Sequence, residues 1–340
     1  MKIKNFFKDK GEIPSWILTA KEERNLAENE REAYMDKLYA YCKERKLEVT
    51  TDGATTLGPK LKGITNKLTA AVTKLMAGAP VERIVTGLEN IPEGPVLFAS
   101  THQGILDNMA WIPKCPKHAM IVHAIETNKL LLTVQLNTGL ILVTKNKEYN
   151  VRRVQAKLDM ITALITGHSV WIFPETAWNL SPNKLHLPLN YGFLDAAQKA
   201  DVPVVPVVME YTYDSSTEKE KITRIHVHYG KPIRIGRKDN TIEKLAEYSE
   251  AIATSRWELF EEKGLFKRSD VSNWDYINYL KGNYANLKFG KIDRVSEYKG
   301  IQGSNDEFYV FHHLNDVAFD EKGNLLGTAE VERLKRICNK

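Results

Sequence analysis

Val202-Pro203-Val204-Val205-Pro206-Val207-Val208 contains no polar side chain. A strand with one wet face alternates apolar and polar residues. An unbroken apolar run is instead buried on both faces, the situation of a strand inside a parallel sheet. Its prolines are confined to places where no ladder donor is needed. Shorter runs of the same kind stand at Val96–Ala99 and Ala119–Val122, Gly139–Lys145 reads as a buried strand that ends in a lysine, and Arg83 to Gly87 is a further candidate strand. Between them Val154, Leu158, Ile161, Leu164 and Ile165 share one helical face, and Gly167 closes that helix. A second helix is read at Phe193–Ala197, after Tyr191-Gly192. Strands alternating with helices predict an α/β fold: a mostly parallel or mixed central sheet flanked by helices, preceded by a helical N-terminal region.

The first of these strands ends in Ser100-Thr101-His102-Gln103-Gly104-Ile105-Leu106-Asp107. Ile105, Met109 and Ile112 then suggest a short helix stopped by Pro113. His102 thus falls at the carboxyl end of a strand, where open α/β sheets place their ligands. In one continuous helix, positions i and i+5 face ~140° apart, so His102 and Asp107 would not meet. With His102 in the loop and Asp107 in the first helical turn, they can. A carboxylate on one imidazole nitrogen fixes the tautomer and leaves the other nitrogen as a general base near neutral pH. Alone, such a pair more often marks a capped helix with a buried histidine.

At 340 residues the chain is long enough for one large domain with an appendage. Its net charge of +5, from 48 basic and 43 acidic residues, gives nucleic-acid binding no support. Cys42, Cys115 and Cys338 are far apart and lack CxxC spacing, as expected of reduced thiols in the cytoplasm. No apolar h-region follows the basic first residues, and no window reaches 18 uncharged apolar residues, so neither a secretory signal nor a spanning helix is expected. His118, His123 and Glu126 suit neither an HExxH helix nor a zinc knuckle, so no metal site is expected.

Residues 1–80 read as a helical N-terminal region. Thr19 to Val49 is dense in charge, with a thin apolar stripe of Leu26, Ala33, Tyr34, Leu38 and Tyr41. Lys60 to Ala77 is different: Ile64, Leu68, Val72, Leu75 and Met76 share a face, and Lys60, Lys62, Lys67 and Lys74 supply its charge. Such a helix either lies on an anionic membrane surface or packs on the α/β core.

The ordered motifs resemble those of the glycerolipid acyltransferase superfamily, which includes lysophosphatidate and glycerol-3-phosphate acyltransferases. His102-(x)4-Asp107 is similar to its first motif. Gly139-Leu140-Ile141-Leu142-Val143-Thr144-Lys145 is similar to Gly-x-Ile-Phe-Ile-Asp-Arg, with Lys145 replacing an Arg that helps hold the acceptor's phosphate. Lysine supplies a point charge without arginine's bidentate fork, and Arg152 and Arg153 stand just beyond it. Phe173-Pro174-Glu175-Thr176 matches only part of Phe-Pro-Glu-Gly-Thr-Arg-Ser. Thr176 aligns with either the Gly or the Thr, and Ala177, Trp178 and Asn179 fill the space where the Arg is missing; Asn179, Lys184 and His186 are the next polar groups. Trp178 suits either stacking on a sugar or headgroup, or core packing. Val202 to Val208 matches Val-Pro-x-Val-Pro-Val, Gly230-Lys231-Pro232-Ile233 resembles a late turn, and Thr241–Leu259 resembles the closing helix.

The resemblance implies an acyltransferase domain at 81–262, between the 1–80 region and a 263–340 extension of unread role. The extension holds Trp274, Tyr276, Tyr279 and Tyr284, a hairpin expectation at Phe308–Phe319, and a His312-His313 pair read as structural. The implied reaction moves a fatty acyl group from acyl-CoA or acyl carrier protein to an acceptor hydroxyl on a lysophospholipid, glycolipid or sugar. His102 and Asp107 would be catalytic, and Glu175, Thr176 and Lys145 would bind the acceptor. No metal or bound cofactor is needed, since the acyl thioester is a co-substrate. The expected location is cytoplasmic, peripheral at an anionic membrane face. Two other classes remain: a lipid-surface binder with a degenerate site, and a hydrolase using the dyad or Ser100.

Overall fold

The computed structural model describes residues 13–19, 22–23, 25–45, 81–102, 107, 119–124, 140–143, 150–176, 186, 189–214 and 221–263. The elements are α1 (Glu28–Glu44), β1 (Glu82–Thr86), β2 (Leu97–Ser100), β3 (Ala119–Ala124), β4 (Leu140–Val143) and α2 (Asn150–Ile165). They continue with β5 (Ser169–Ile172), α3 (Gly192–Ala200), β6 (Val204–Asp214), β7 (Lys221–Tyr229) and α4 (Thr241–Lys263). The seven strands form one sheet in the order β1-β7-β6-β2-β5-β3-β4. All neighbours run parallel except β6 and β7, which pair antiparallel. The sheet is therefore mixed, with β2 at its centre between β5 and β6.

The unbroken apolar runs find their explanation in two buried faces. Along β2, Leu97 and Ala99 enter one core and Phe98 the other. Along β6, Val204 and Val208 enter the first core, while Val205, Val207, Met209 and Tyr211 enter the second. This is the two-residue period of a pleated strand. The first core also takes Tyr34, Leu38 and Cys42 of α1, Ile161 and Leu164 of α2, Phe193 of α3, and Leu245, Tyr248 and Ile252 of α4. Each fully buried apolar side chain of this size contributes roughly 1.5–3 kcal/mol. The described helices all pack on that face. None is long and apolar enough to cross a membrane.

Two strands enter the sheet through matched helix ends. After α2, Gly167 sits at φ 93°, and the N–H groups of Gly167 and His168 return to Leu164 and Ala163 at 3.2 and 2.8 Å. That is a Schellman closure, with glycine supplying the left-handed residue. Asp201 does the same after α3 at φ 55°, sending Val202 back to Ala197 at 3.1 Å. Pro206 is tolerated in a central strand because it lies opposite Gly230, just past the end of β7. There it only accepts, from the Gly230 N–H at 2.8 Å.

β6 begins two residues later and ends six residues later than the Val202–Val208 run. Its second half, Met209–Asp214, is carried by pairing with β7, which apolar content alone does not reveal. At the N-terminus, α1 buries Tyr34, Met35, Leu38 and Cys42, whereas Ala33 is exposed. The stripe is thus rotated from the expected one, toward the residues that face α2. Burial pushes the Cys42 thiol up to about 11, so it stays protonated.

A charged cluster fastens this N-terminal stretch to the domain. Lys199 of α3, with a side chain 1% exposed, meets Glu23 at 2.5 Å and also Asp195. Lys157 of α2 pairs with Asp195 and lies 3.8 Å from Glu23. Burial alone would raise the Asp195 carboxyl, but Lys199 and Lys157 outweigh it and hold it well below its ordinary range. The same balance, burial outweighed by Asp195 and Glu23, raises Lys157.

Candidate active site

The site is built where β2, β5 and β6 meet. Thr101 prolongs the pairing of β2 with β6 through both backbone and side chain. Its N–H donates to the Val207 carbonyl at 3.0 Å. Its hydroxyl accepts from the Met209 N–H at 2.8 Å and donates to the Met209 carbonyl at 3.3 Å. The strand's last hydrogen bonds are thereby made by a side chain, and the main chain is released to turn at His102.

His102 is then fixed on three sides. Its backbone N–H donates to Glu175 Oε1 at 2.9 Å. Its ring stacks on Phe173, with centroids 4.1 Å apart and planes 18° from parallel. Its Nδ1 lies 2.7 Å from Oδ2 of Asp107. Asp107 is itself helical, as its expected place in a first turn requires, and the rest of the expected 104–112 helix lies outside the described residues. Asp107 is fully buried while the His102 side chain keeps 14% exposure. The hydroxyl of Tyr211 in β6 donates to the other oxygen of Asp107, Oδ1.

Phe173, Pro174 and Glu175 reach this place from β5. Ala99 is in register with Ile172, so the residues following the two strands end level with each other. Glu175 is 2% exposed. Tyr248 of α4, wholly buried, has its hydroxyl pushed well above its usual value, first by burial and then by the charge of Glu175. Thr176 is exposed, with φ 57°. A β-branched residue rarely takes that left-handed conformation, which glycine adopts without strain. The backbone thus favours aligning Thr176 with the Gly of the resembled block.

Four of the expected site residues are placed here: His102, Asp107 and Glu175 converge, and Thr176 is adjacent in the chain. Lys145 lies outside the described residues, as do Trp178, Asn179, Lys184, the Lys60–Ala77 segment and residues 264–340. Of the alternative cations, Arg152 is buried and Arg153 exposed in the first turn of α2. His186 is held by Ser249 of α4, Nε2 to Oγ 2.7 Å. Ser100 is fully buried and donates its hydroxyl to the Thr101 carbonyl at 3.0 Å, an arrangement unsuited to a nucleophile. Tyr211 was missed from sequence: it lies 104 residues from Asp107, and only the β2–β6 pairing brings them together.

The acyltransferase family model matches residues 82–210, from β1 through most of β6. The 1-acyl-sn-glycerol-3-phosphate acyltransferase alpha of Ovis aries is 29% identical over 44% of this chain and 51% of its own length. The human protein of that name is 28% identical over 44% and 52%. The 1-acyl-sn-glycerol-3-phosphate acyltransferase of Saccharomyces cerevisiae is 24% identical over 57% and 64%. The chain spans about half the length of the curated mammalian relatives it matches. The crystal structure of the 1-acyl-sn-glycerophosphate (LPA) acyltransferase PlsC from Thermotoga maritima superposes with a TM-score of 0.45, at 20% identity, over 58% of this chain and 80% of that one. Residues 82–210 therefore match an acyltransferase domain, and these relatives of the chain are 1-acyl-sn-glycerol-3-phosphate acyltransferases.

Proposed function

We propose that this chain moves a fatty acyl group from the thioester of acyl-CoA or acyl carrier protein to an acceptor hydroxyl, with His102 as general base. The observation that carries this reading is the 2.7 Å contact between His102 Nδ1 and a fully buried Asp107. That contact sets the proton on Nδ1 and makes Nε2 the basic nitrogen. Nε2 takes the acceptor's hydroxyl proton as the oxygen attacks the thioester carbonyl. The tetrahedral adduct then expels the thiol, which receives that proton from the imidazolium. Asp107 stabilises the ring while it is charged. Glu175 keeps the turn at His102 in place through the backbone.

The acceptor belongs to the lysophospholipid, glycolipid or sugar class. The names of the relatives speak for 1-acylglycerol-3-phosphate. Lys145 in place of an arginine, and the missing arginine of the third block, speak for an acceptor with less negative charge. We take the second, and place the reaction at the cytoplasmic face of an anionic membrane. Thiol release from acyl-CoA and from acyl carrier protein, each with and without a monoacyl lipid or glycolipid, tests the reading. A transferase releases thiol only with an acceptor and yields the acylated product. Acceptor-independent release marks a hydrolase, and no release with any donor marks a binding protein.

A further inference from the structure

We infer that Tyr211 is a positioning residue for the proposed base, holding Asp107 by the oxygen that His102 does not use; this rests on the reading of His102 and Asp107 given above. A carboxylate that turns about its Cβ–Cγ bond would carry the imidazole plane with it. The tie from Tyr211 Oη to Oδ1 opposes that turn. Both anchors belong to the same rigid frame. His102 leaves the end of β2, Tyr211 sits in β6, and the two strands are paired in register from Leu97↔Val204 to Ser100↔Val207, then clamped by Thr101 on Met209.

The side chain is chosen for its oxygen. The ring of Tyr211 is 7% exposed in the apolar core beside Met209 and Val227, a place that phenylalanine would fill equally well. A hydrogen bond to a buried carboxylate oxygen contributes about 1–3 kcal/mol, and a phenol can donate it where a phenyl ring cannot. Among the described residues, Glu175, whose carboxylate is engaged by the His102 N–H, and Tyr248, which feels the charge of Glu175, are also ionisable. Glu210, in cross-strand register with His226, points to the opposite face of β6 and is paired with Arg256.

Tyr211→Phe in the full chain tests this, with a thermal melt to establish folding. The expected result is a kcat lower by roughly ten- to a hundredfold, the range of one hydrogen bond to a charged group. KM for both substrates stays near the parental value, because Tyr211 does not touch them. In an Asp107→Asn background, Tyr211→Phe has no further effect, because it acts only through Asp107. His102→Ala is run in parallel. Retained turnover in His102→Ala overturns the base reading and this inference together. An inactive His102→Ala beside a Tyr211→Phe with parental kcat overturns the role of Tyr211 alone. So does an equal loss of kcat in both backgrounds.

Discussion

Glu175 reaches across 73 residues of sequence to accept the backbone N–H of His102 at 2.9 Å. The contact joins the end of β5 to the end of β2 and fixes the turn from which His102 projects. Glu175 is 2% exposed, so both partners lose much if it is cut.

Glu175→Ala leaves that N–H without its acceptor, at a cost of about 1–3 kcal/mol, and should lower both the melting temperature and kcat. Glu175→Gln keeps an acceptor oxygen and should recover most of both. The two variants also separate the backbone role from the acceptor-binding role implied by the resemblance. If Gln restores the melt but leaves acceptor KM several-fold high, the carboxylate charge itself contacts the acceptor.

Thr176 gives a prediction of the opposite sign. A non-glycine residue at φ 57° costs about 1–2 kcal/mol, and glycine gives part of that back in unfolded-state entropy. Thr176→Gly should therefore stabilise by roughly 1 kcal/mol, read as a rise of about 2–4 °C in Tm. An unchanged or lower Tm would show that the hydroxyl makes contacts worth more than the strain.

Several strands and the His102–Asp107 contact were legible in the sequence, and the further partners of Asp107 were not. Val96–Ala99 and Ala119–Val122 could be read because burial on both faces leaves a local mark, an uninterrupted apolar run. His102 and Asp107 could be read because a loop and one helical turn are enough to bring them together. Tyr211 leaves no such mark: it is one aromatic residue at the polar end of β6, and its value depends on a strand order that no local pattern encodes. The same holds for Glu23, Lys157, Asp195 and Lys199, which look like solvated charges one by one. Only the docking of the N-terminal stretch against α2 and α3 turns them into a buried network. The rotated stripe of α1 follows from that docking as well.

That network makes stability depend on pH at both ends. Asp195 has a folded value below its unfolded one of ~3.9, so its contribution is complete above that value and is lost as pH falls through the lower folded value. Lys157 has a folded value above ~10.4, so its contribution is complete below that and is lost as pH rises through the folded value. Tm should be flat across neutral pH and decline toward both extremes. Asp195→Asn should lower Tm at pH 7 and flatten the acid decline, because the buried Lys199 and the half-buried Lys157 lose a counter-charge. A variant whose Tm curve overlays the parent's would show that the cluster adds nothing.

The basic Lys60–Ala77 segment carries the membrane expectation. Replacing Lys60, Lys62, Lys67 and Lys74 with Gln should weaken binding to anionic vesicles by about 1 kcal/mol for each charge at the surface. Unchanged co-sedimentation, or none in the parent, would assign the segment to core packing instead.

Acceptor charge is decided by comparing lysophosphatidate with a matched uncharged monoacyl acceptor. The uncharged acceptor should have the higher kcat/KM. A clear preference for lysophosphatidate that disappears in Lys145→Ala would show that this lysine does the work of the resembled arginine.

The most direct test of the central claim is the turnover of His102→Ala, measured as acylated product formed from acyl-CoA and the best acceptor found for the parent. General-base assistance supplies ~10²–10⁴ in rate, so the folded variant should retain less than about a hundredth of parental kcat. Near-parental product formation by folded His102→Ala protein would contradict the account.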